Sequence, residues 1–155
     1  MARRIHRRIY DDCRIVPIDL ECLLRAIGLP VEYVKLRSVD EYLYRNPESG
    51  VQFLLVNNRK RRVRQRFSLA HGIGHYFLHP DMRGAFSVGI EKSSADWEAD
   101  RFAEELLMPE EKFKSFYQGF SFMPYLELVN YLALVFDVSR QAVQVRIRHL
   151  NLIGG

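Results

Sequence analysis

Arg66 to Leu78 reads R-F-S-L-A-H-G-I-G-H-Y-F-L, with His71 and His75 four residues apart. In a helix that spacing places both imidazoles on one face, one turn apart, which suits two ligands of a single zinc ion. The usual metallopeptidase pattern on such a helix is H-E-x-x-H, where the Glu takes a proton from the metal-bound water. Gly72 stands at that catalytic position, so the general base is missing. Taken alone, the pair reads almost as well as two half-buried histidines. The stretch offers part of a metal site without the group that would make it an ordinary peptidase.

A chain of 155 residues, of which 48% are hydrophobic, is long enough for one real core and too apolar for global disorder. The net charge of +4 is unevenly placed. Arg3, Arg4, Arg7 and Arg8 open the chain, and Arg59, Lys60, Arg61, Arg62, Arg64 and Arg66 crowd into one short stretch. Such clusters meet phosphate or an acidic partner, or form a solvated face. Cys13 and Cys22 are too few for a disulfide framework or a cysteine metal site. Asp11 and Asp12 interrupt the basic opening before a signal-peptide core forms, and no apolar run is long enough to span a membrane. A cytoplasmic protein is expected.

Working outward, Leu20, Leu23, Leu24 and Ile27 form a helical stripe closed by Gly28. Val31–Leu36 and Val51–Val56 read as strands of a small sheet beneath the histidine helix, with a polar segment of turn signals over 37–50. Ser68 is the expected N-cap of the histidine helix and His79-Pro80 its end. Two glycines inside that helix each cost roughly 1 kcal/mol relative to Ala, so each needs a reason. Gly74 has one, close approach by another element. Gly72 shows no structural benefit, and loss of a former Glu is the simpler account.

Residues 80–95 read as a loop. A second strong helix begins at Trp97 and is halted by Pro109; it buries Phe102, Leu106 and Leu107 and offers Glu98 near its start. Pro109-Glu110-Glu111 opens a further helix that stops at Gly119. Tyr125–Phe136, the corner Asp137-Val138-Ser139 and a last helix with Ala142, Val143, Ile147 and Leu150 inward follow. That leaves Arg140, Gln141, Gln144 and Arg148 outward, as in the second helix of a helix-turn-helix.

The runs R-F-S-L-A-H-x-x-G-H-Y-F-L-H, E-A-D-R-F-A-E-E-L-L-M-P and L-A-L-V-F-D-V-S-R-Q-A-V-x-x-R together resemble the ImmA/IrrE family of zinc metallopeptidases, over most of the chain. The resemblance implies an α+β, gluzincin-like fold, with a small sheet, a zincin-like histidine helix, a glutamate helix and a helix-turn-helix-like C-terminal segment. After a basic arm over 1–16, read from its arginines, it implies a metallopeptidase-like domain over 17–122 and the helical segment over 123–155 packed on it. By position it makes His71, His75 and Glu98 the zinc ligands, with Asp100 and His79 in support, and puts the missing base at Gly72. Two imidazoles and a carboxylate also accommodate manganese or iron.

Family members act on repressor or antitoxin-type transcription factors of phages, mobile elements, toxin-antitoxin pairs and stress responses. For this chain the implied function is binding such a partner without efficient cleavage, since a general base contributes roughly a hundred- to ten-thousandfold. Gly72 then marks a natural pseudoenzyme, an introduced inactivating substitution, or a site whose base comes from elsewhere, with Glu91 as the candidate. The alternative function is a non-catalytic regulator that binds DNA or a partner through Arg59, Lys60, Arg61, Arg62, Arg140, Gln141, Gln144 and Arg148, the peptidase fold serving as scaffold.

Overall fold

The computed structural model describes residues 16–46, 48–81, 84–86 and 93–152. The basic opening with Cys13, and Glu91, lie outside them. The chain is α+β and divides into two compact units, Asp19–Ala103 and a second holding Glu104–Gly155 with the segment that ends at Ile18.

In the first unit, α1 (Leu20–Ile27) starts where the Asp19 carboxylate accepts from the Cys22 amide at 2.9 Å, and buries Leu20, Leu23 and Leu24. Strands β1 (Val31–Val34), β2 (Glu41–Arg45), β3 (Gln52–Asn57) and β4 (Gly84–Phe86) form one sheet in the order β1-β3-β2-β4. β1 pairs parallel with β3, and β2 pairs antiparallel with both β3 and β4. Two of these strands lie where the sequence reads as polar turn and loop. In β2 the residues that alternate inward are Glu41, Leu43 and Arg45, all buried, so the two charged ends mask the period-2 signal.

Register carries that pattern across the sheet. Glu41 stands opposite Val56 and Leu43 opposite Leu54, which gathers Glu41, Leu43, Leu54 and Val56 on one face. The other face carries Tyr44 stacked on Phe53, ring centroids 4.8 Å apart. Buried Asn57 ends β3 by donating to the Leu36 and Val39 carbonyls at 3.0 and 2.8 Å, while its oxygen accepts from the Arg59 amide at 3.1 Å. One side chain thereby sets both the approach to β2 and the entry to the next helix.

That helix, α2, runs Arg62–Leu78 and so begins six residues before the expected cap. Ser68 is buried within it, and Arg62, Arg64 and Arg66 of the basic run lie in its first turns. Cations at the positive pole of a helix are unfavourable. Part of that charge is balanced by Asp40, which lies 2.9 Å from Lys60 and also accepts from Arg64. Asp40's carboxyl is held below the usual range: burial would raise it, but the bonds from Lys60 and Arg64 outweigh that. At the other end, buried Arg45 donates to the carbonyls of His79 at 2.6 Å, Pro80 at 3.0 Å and Tyr76 at 3.4 Å. A guanidinium under the negative pole both satisfies orphan carbonyls and opposes the dipole.

Helix α3 (Ser94–Leu107) begins in the first unit and ends in the second. Within Asp19–Ala103, a Cβ on Gly74 would sit 3.1 Å from the Ala99 Cα and 3.2 Å from the Ala99 oxygen and a Phe102 ring carbon. Gly74 therefore has the close-approach role expected of it, bringing α2 and α3 together backbone to backbone.

In the second unit, α4 (Glu110–Gly119), α5 (Tyr125–Phe136) and α6 (Arg140–His149) follow the sequence reading closely. Phe113 and Phe116 pack on Phe136, with centroids at 5.4 and 5.7 Å. Asp137 takes the left-handed conformation that ends α5, and the Ser139 hydroxyl accepts from the Ala142 amide at 3.1 Å to start α6. Val143 and Ile147 are buried as expected, while Ala142 and Leu150 are only partly covered. Arg146 is buried as well, donating to the Met108 carbonyl at 3.0 Å and pairing with Glu105.

Candidate metal centre

α2 and α3 each present side chains at a four-residue spacing. His71, His75 and His79 follow one another along α2, with the first two rings 4.6 Å apart and the next two 5.1 Å apart. On α3, Asp96 and Asp100 share the facing side: Asp96 Oδ1 lies 3.2 Å from His75 Nε2, and Asp100 Oδ1 lies 3.6 Å from His71 Nε2. Ligand atoms of His71, His75 and Asp96 all fall within 4.8 Å of one another, and all three residues are buried.

Glu98, the ligand implied by the resemblance, is not in that group. Two residues from Asp96 means about 200° around a helix, so Asp96 and Glu98 occupy opposite faces. Glu98's side chain is 64% exposed, and its carboxylate lies 3.5 Å from His79 Nε2. Among the described residues the carboxylate that meets the two histidines belongs to Asp96.

Each member is held from behind. Glu41 Oε1 lies 2.7 Å from His71 Nδ1, with both groups buried. A carboxylate accepts, so Nδ1 is the donor and the lone pair of His71 faces the cluster from Nε2. His75 Nδ1 lies 3.2 Å from His79 Nδ1. Asp96 Oδ2 accepts from the Ser93 amide and hydroxyl, both at 2.7 Å, while Ser93 Oγ accepts from the Asp96 amide at 3.2 Å. That reciprocal pair is a capping box that starts α3, and it leaves Oδ1 for the histidines. The signal stood in the sequence as Ser93-x-x-Asp96, ahead of the Trp97 start read there.

The electrostatics follow. Burial, then the neighbouring His71 and His79, hold His75's pKa down to about 4 despite the opposing pull of Asp96. Asp96's carboxyl is lowered: burial acts to raise it, and the Ser93 hydrogen bonds with His75 and His71 prevail. An imidazole kept neutral and a carboxylate kept charged are the protonation states a divalent ion needs from its ligands. His71 Nε2 is buried with no hydrogen-bond partner. A buried acceptor left this way is unfavourable by itself and fits a cation among the three donors. On this observation His71, His75 and Asp96 fit a metal ion, with Glu41 orienting the first ligand from outside.

Gly72 lies on the buried part of α2. A Cβ there would come within 2.6 and 2.9 Å of the two methyl carbons of Leu54. Position 72 thus has a packing reason to be glycine, contrary to the sequence reading: the sheet fills the space a side chain would enter. Of the other residues singled out, Arg59, Lys60, Arg61 and Arg62 are exposed, as are Arg140, Gln141 and Arg148 on α6, while Gln144 is partly covered.

The model of the IrrE N-terminal-like domain, Peptidase_M78, matches residues 21–148. The chain belongs to this IrrE-like peptidase family. The cluster and Gly72 both lie inside the matched stretch. None of the curated proteins matches the chain. Among solved structures, a Mycobacterium tuberculosis transcriptional regulator is similar with a TM-score of 0.63 and 14% identity, over 94% of this chain and 46% of that one. At that identity the likeness speaks for the fold alone, and this IrrE-like chain spans less than half of the regulator's length. No helix among the described residues is long and apolar enough to cross a membrane.

Proposed function

We propose that this IrrE-like protein binds a divalent metal, zinc in the first place, through His71, His75 and Asp96, and engages a repressor or antitoxin-type transcription factor without cleaving it efficiently. The observation that carries this reading is the contrast between an assembled donor set and a base position that holds no side chain: His71 keeps a buried, unbonded Nε2 while Leu54 fills the space beside Gly72. When bound, such an ion supplies Lewis-acid polarisation of an oxygen. The chain's own residues hold and orient: Glu41 fixes His71, Ser93 fixes Asp96, and Arg45 anchors the turn carrying His79. No group at position 72 takes up a proton. The partner class rests on the family.

The test pairs metal analysis of the purified protein with calorimetry and mass spectrometry against the repressor encoded beside its gene. About one metal per chain, binding and an intact partner are expected. Rapid, specific cleavage would mean that a base comes from elsewhere; absence of metal would remove the centre.

A second reading is favoured by the exposure of Arg140, Gln141 and Arg148 on α6 behind a capped corner, and of Arg59, Lys60, Arg61 and Arg62 leading into α2. It makes the protein a DNA-binding regulator on a peptidase scaffold. Phosphate contacts would give an affinity that falls steeply with salt, whereas a protein complex held by apolar contacts would not.

A further inference from the structure

Leu54 is fully buried on β3, opposite Leu43 on β2 and Val31 on β1, and its amide is tied to the Pro30 carbonyl at 2.8 Å. Its backbone is therefore fixed from both neighbouring strands. Its side chain points at α2, with Cδ1, Cδ2 and Cγ at 2.6, 2.9 and 3.3 Å from where a Cβ on residue 72 would stand. Any L-residue other than glycine must begin its side chain in that volume, whatever its chemistry. Side chains in a close-packed interior give way only where neighbours leave room.

We infer that Leu54 is the residue that keeps the base position closed, so that residues 54 and 72 act as one coupled pair. The inference deepens the reading given above, since it names what holds the site in a form without a proton acceptor. Glu placed at 72 in the present chain displaces Leu54 from a fully buried position or pushes α2 off the sheet, and with α2 it moves His71 and His75. A smaller residue at 54 alone leaves a cavity under a helix that still lacks a carboxylate. The two changes together leave room for the carboxylate beside the histidines.

A double-mutant cycle tests this, with Gly72→Ala and Leu54→Ala made singly and together in the full chain and folding equilibria measured by urea titration. Alanine in place of glycine inside a helix ordinarily raises the folding equilibrium roughly fivefold. Here Gly72→Ala is expected to lower it about tenfold or more in the Leu54 chain and to raise it in the Leu54→Ala chain. Should Leu54→Ala fail to fold, the sign for Gly72→Ala alone decides. A rise in the Leu54 chain, or equal effects in both backgrounds, overturns the coupling. The metal content and partner cleavage of Gly72→Glu/Leu54→Ala are read separately. An intact partner alongside a coupled cycle leaves the pairing of 54 and 72 standing and counts against the idea that the base is the group the site lacks.

Discussion

In the Glu104–Gly155 unit, buried Arg146 meets the Met108 carbonyl and Glu105, and Glu104 lies 2.8 Å from His149 Nδ1. In the Asp19–Ala103 unit, buried His71 keeps Nε2 without a hydrogen bond, and Glu41 keeps Oε2 in the same condition. Both units bury charge, yet one closes its polar network and the other leaves it open toward a cluster of ligand atoms. A closed network serves architecture, because its members are already satisfied by one another. An open one leaves buried polar atoms unsatisfied, which is unfavourable by itself, and the ligand atoms of His71, His75 and Asp96 beside it fit a metal ion.

Breaking the open network has the largest expected effect. His71→Ala and His75→Ala should each take metal content from about one per chain to near zero by elemental analysis; normal metal in either would dissolve the comparison. Asp96→Asn should weaken metal binding at least tenfold, on the order of a ligand or orienting-group loss. Glu98→Gln, a change to a solvated group, should stay within about threefold. Competition with a chromophoric chelator orders the two, and the reverse order would return Glu98 to the ligand set.

Stability sharpens the contrast further. Arg146→Ala removes one side of a closed, buried pair and should cost about 3–5 kcal/mol in urea melts with metal content unchanged. Acidification should act on the open network first. His75's folded pKa of about 4 lies below its ordinary 6.5, so the unfolded chain takes up the proton earlier. The stability this represents is present above pH 6.5 and lost as pH falls toward 4, at most about 3 kcal/mol in the metal-free protein. His75→Leu should flatten that slope. Smallest, Glu41→Met with His71→Leu should stabilise the metal-free protein by about 1–3 kcal/mol, because apolar groups replace a buried pair that leaves Glu41 Oε2 and His71 Nε2 without hydrogen bonds. A loss of stability there would mean that Glu41 and His71 belong to the architecture after all.

The sequence reads well where local rules and burial agree. Gly28 after Ile27, Pro109 before Glu110, and Asp137-Val138-Ser139 announce helix boundaries through local backbone rules, and the α+β class follows from the family resemblance. The reading fails where the centre bends those rules. β2 hides because Glu41 and Arg45 point inward, one to orient His71 and the other to hold the end of α2. The start of α2 is misplaced because its first turns are basic, the wrong sign for a helix N-terminus, and Ser68 offers a better local cap than Arg61. Asp96 was within reach: its spacing to Asp100 matches that of His71 to His75, and Ser93 marks it as a capping residue. Leu54 was not. An apolar residue in an apolar strand carries no mark of which helix position it will meet, and only tertiary packing sets it against Gly72.

The contact between Leu54 and Gly72 also bears on how such a chain can change by inheritance. Glycine and glutamate codons differ by one base, so position 72 alone is a single step from a carboxylate. With Leu54 beneath it, that step leads to an overpacked helix; taken the other way round, it begins with a hollow under α2. Either order crosses a less stable intermediate. Glycine at position 72 is thereby sheltered from casual replacement, because neither it nor Leu54 changes first without loss.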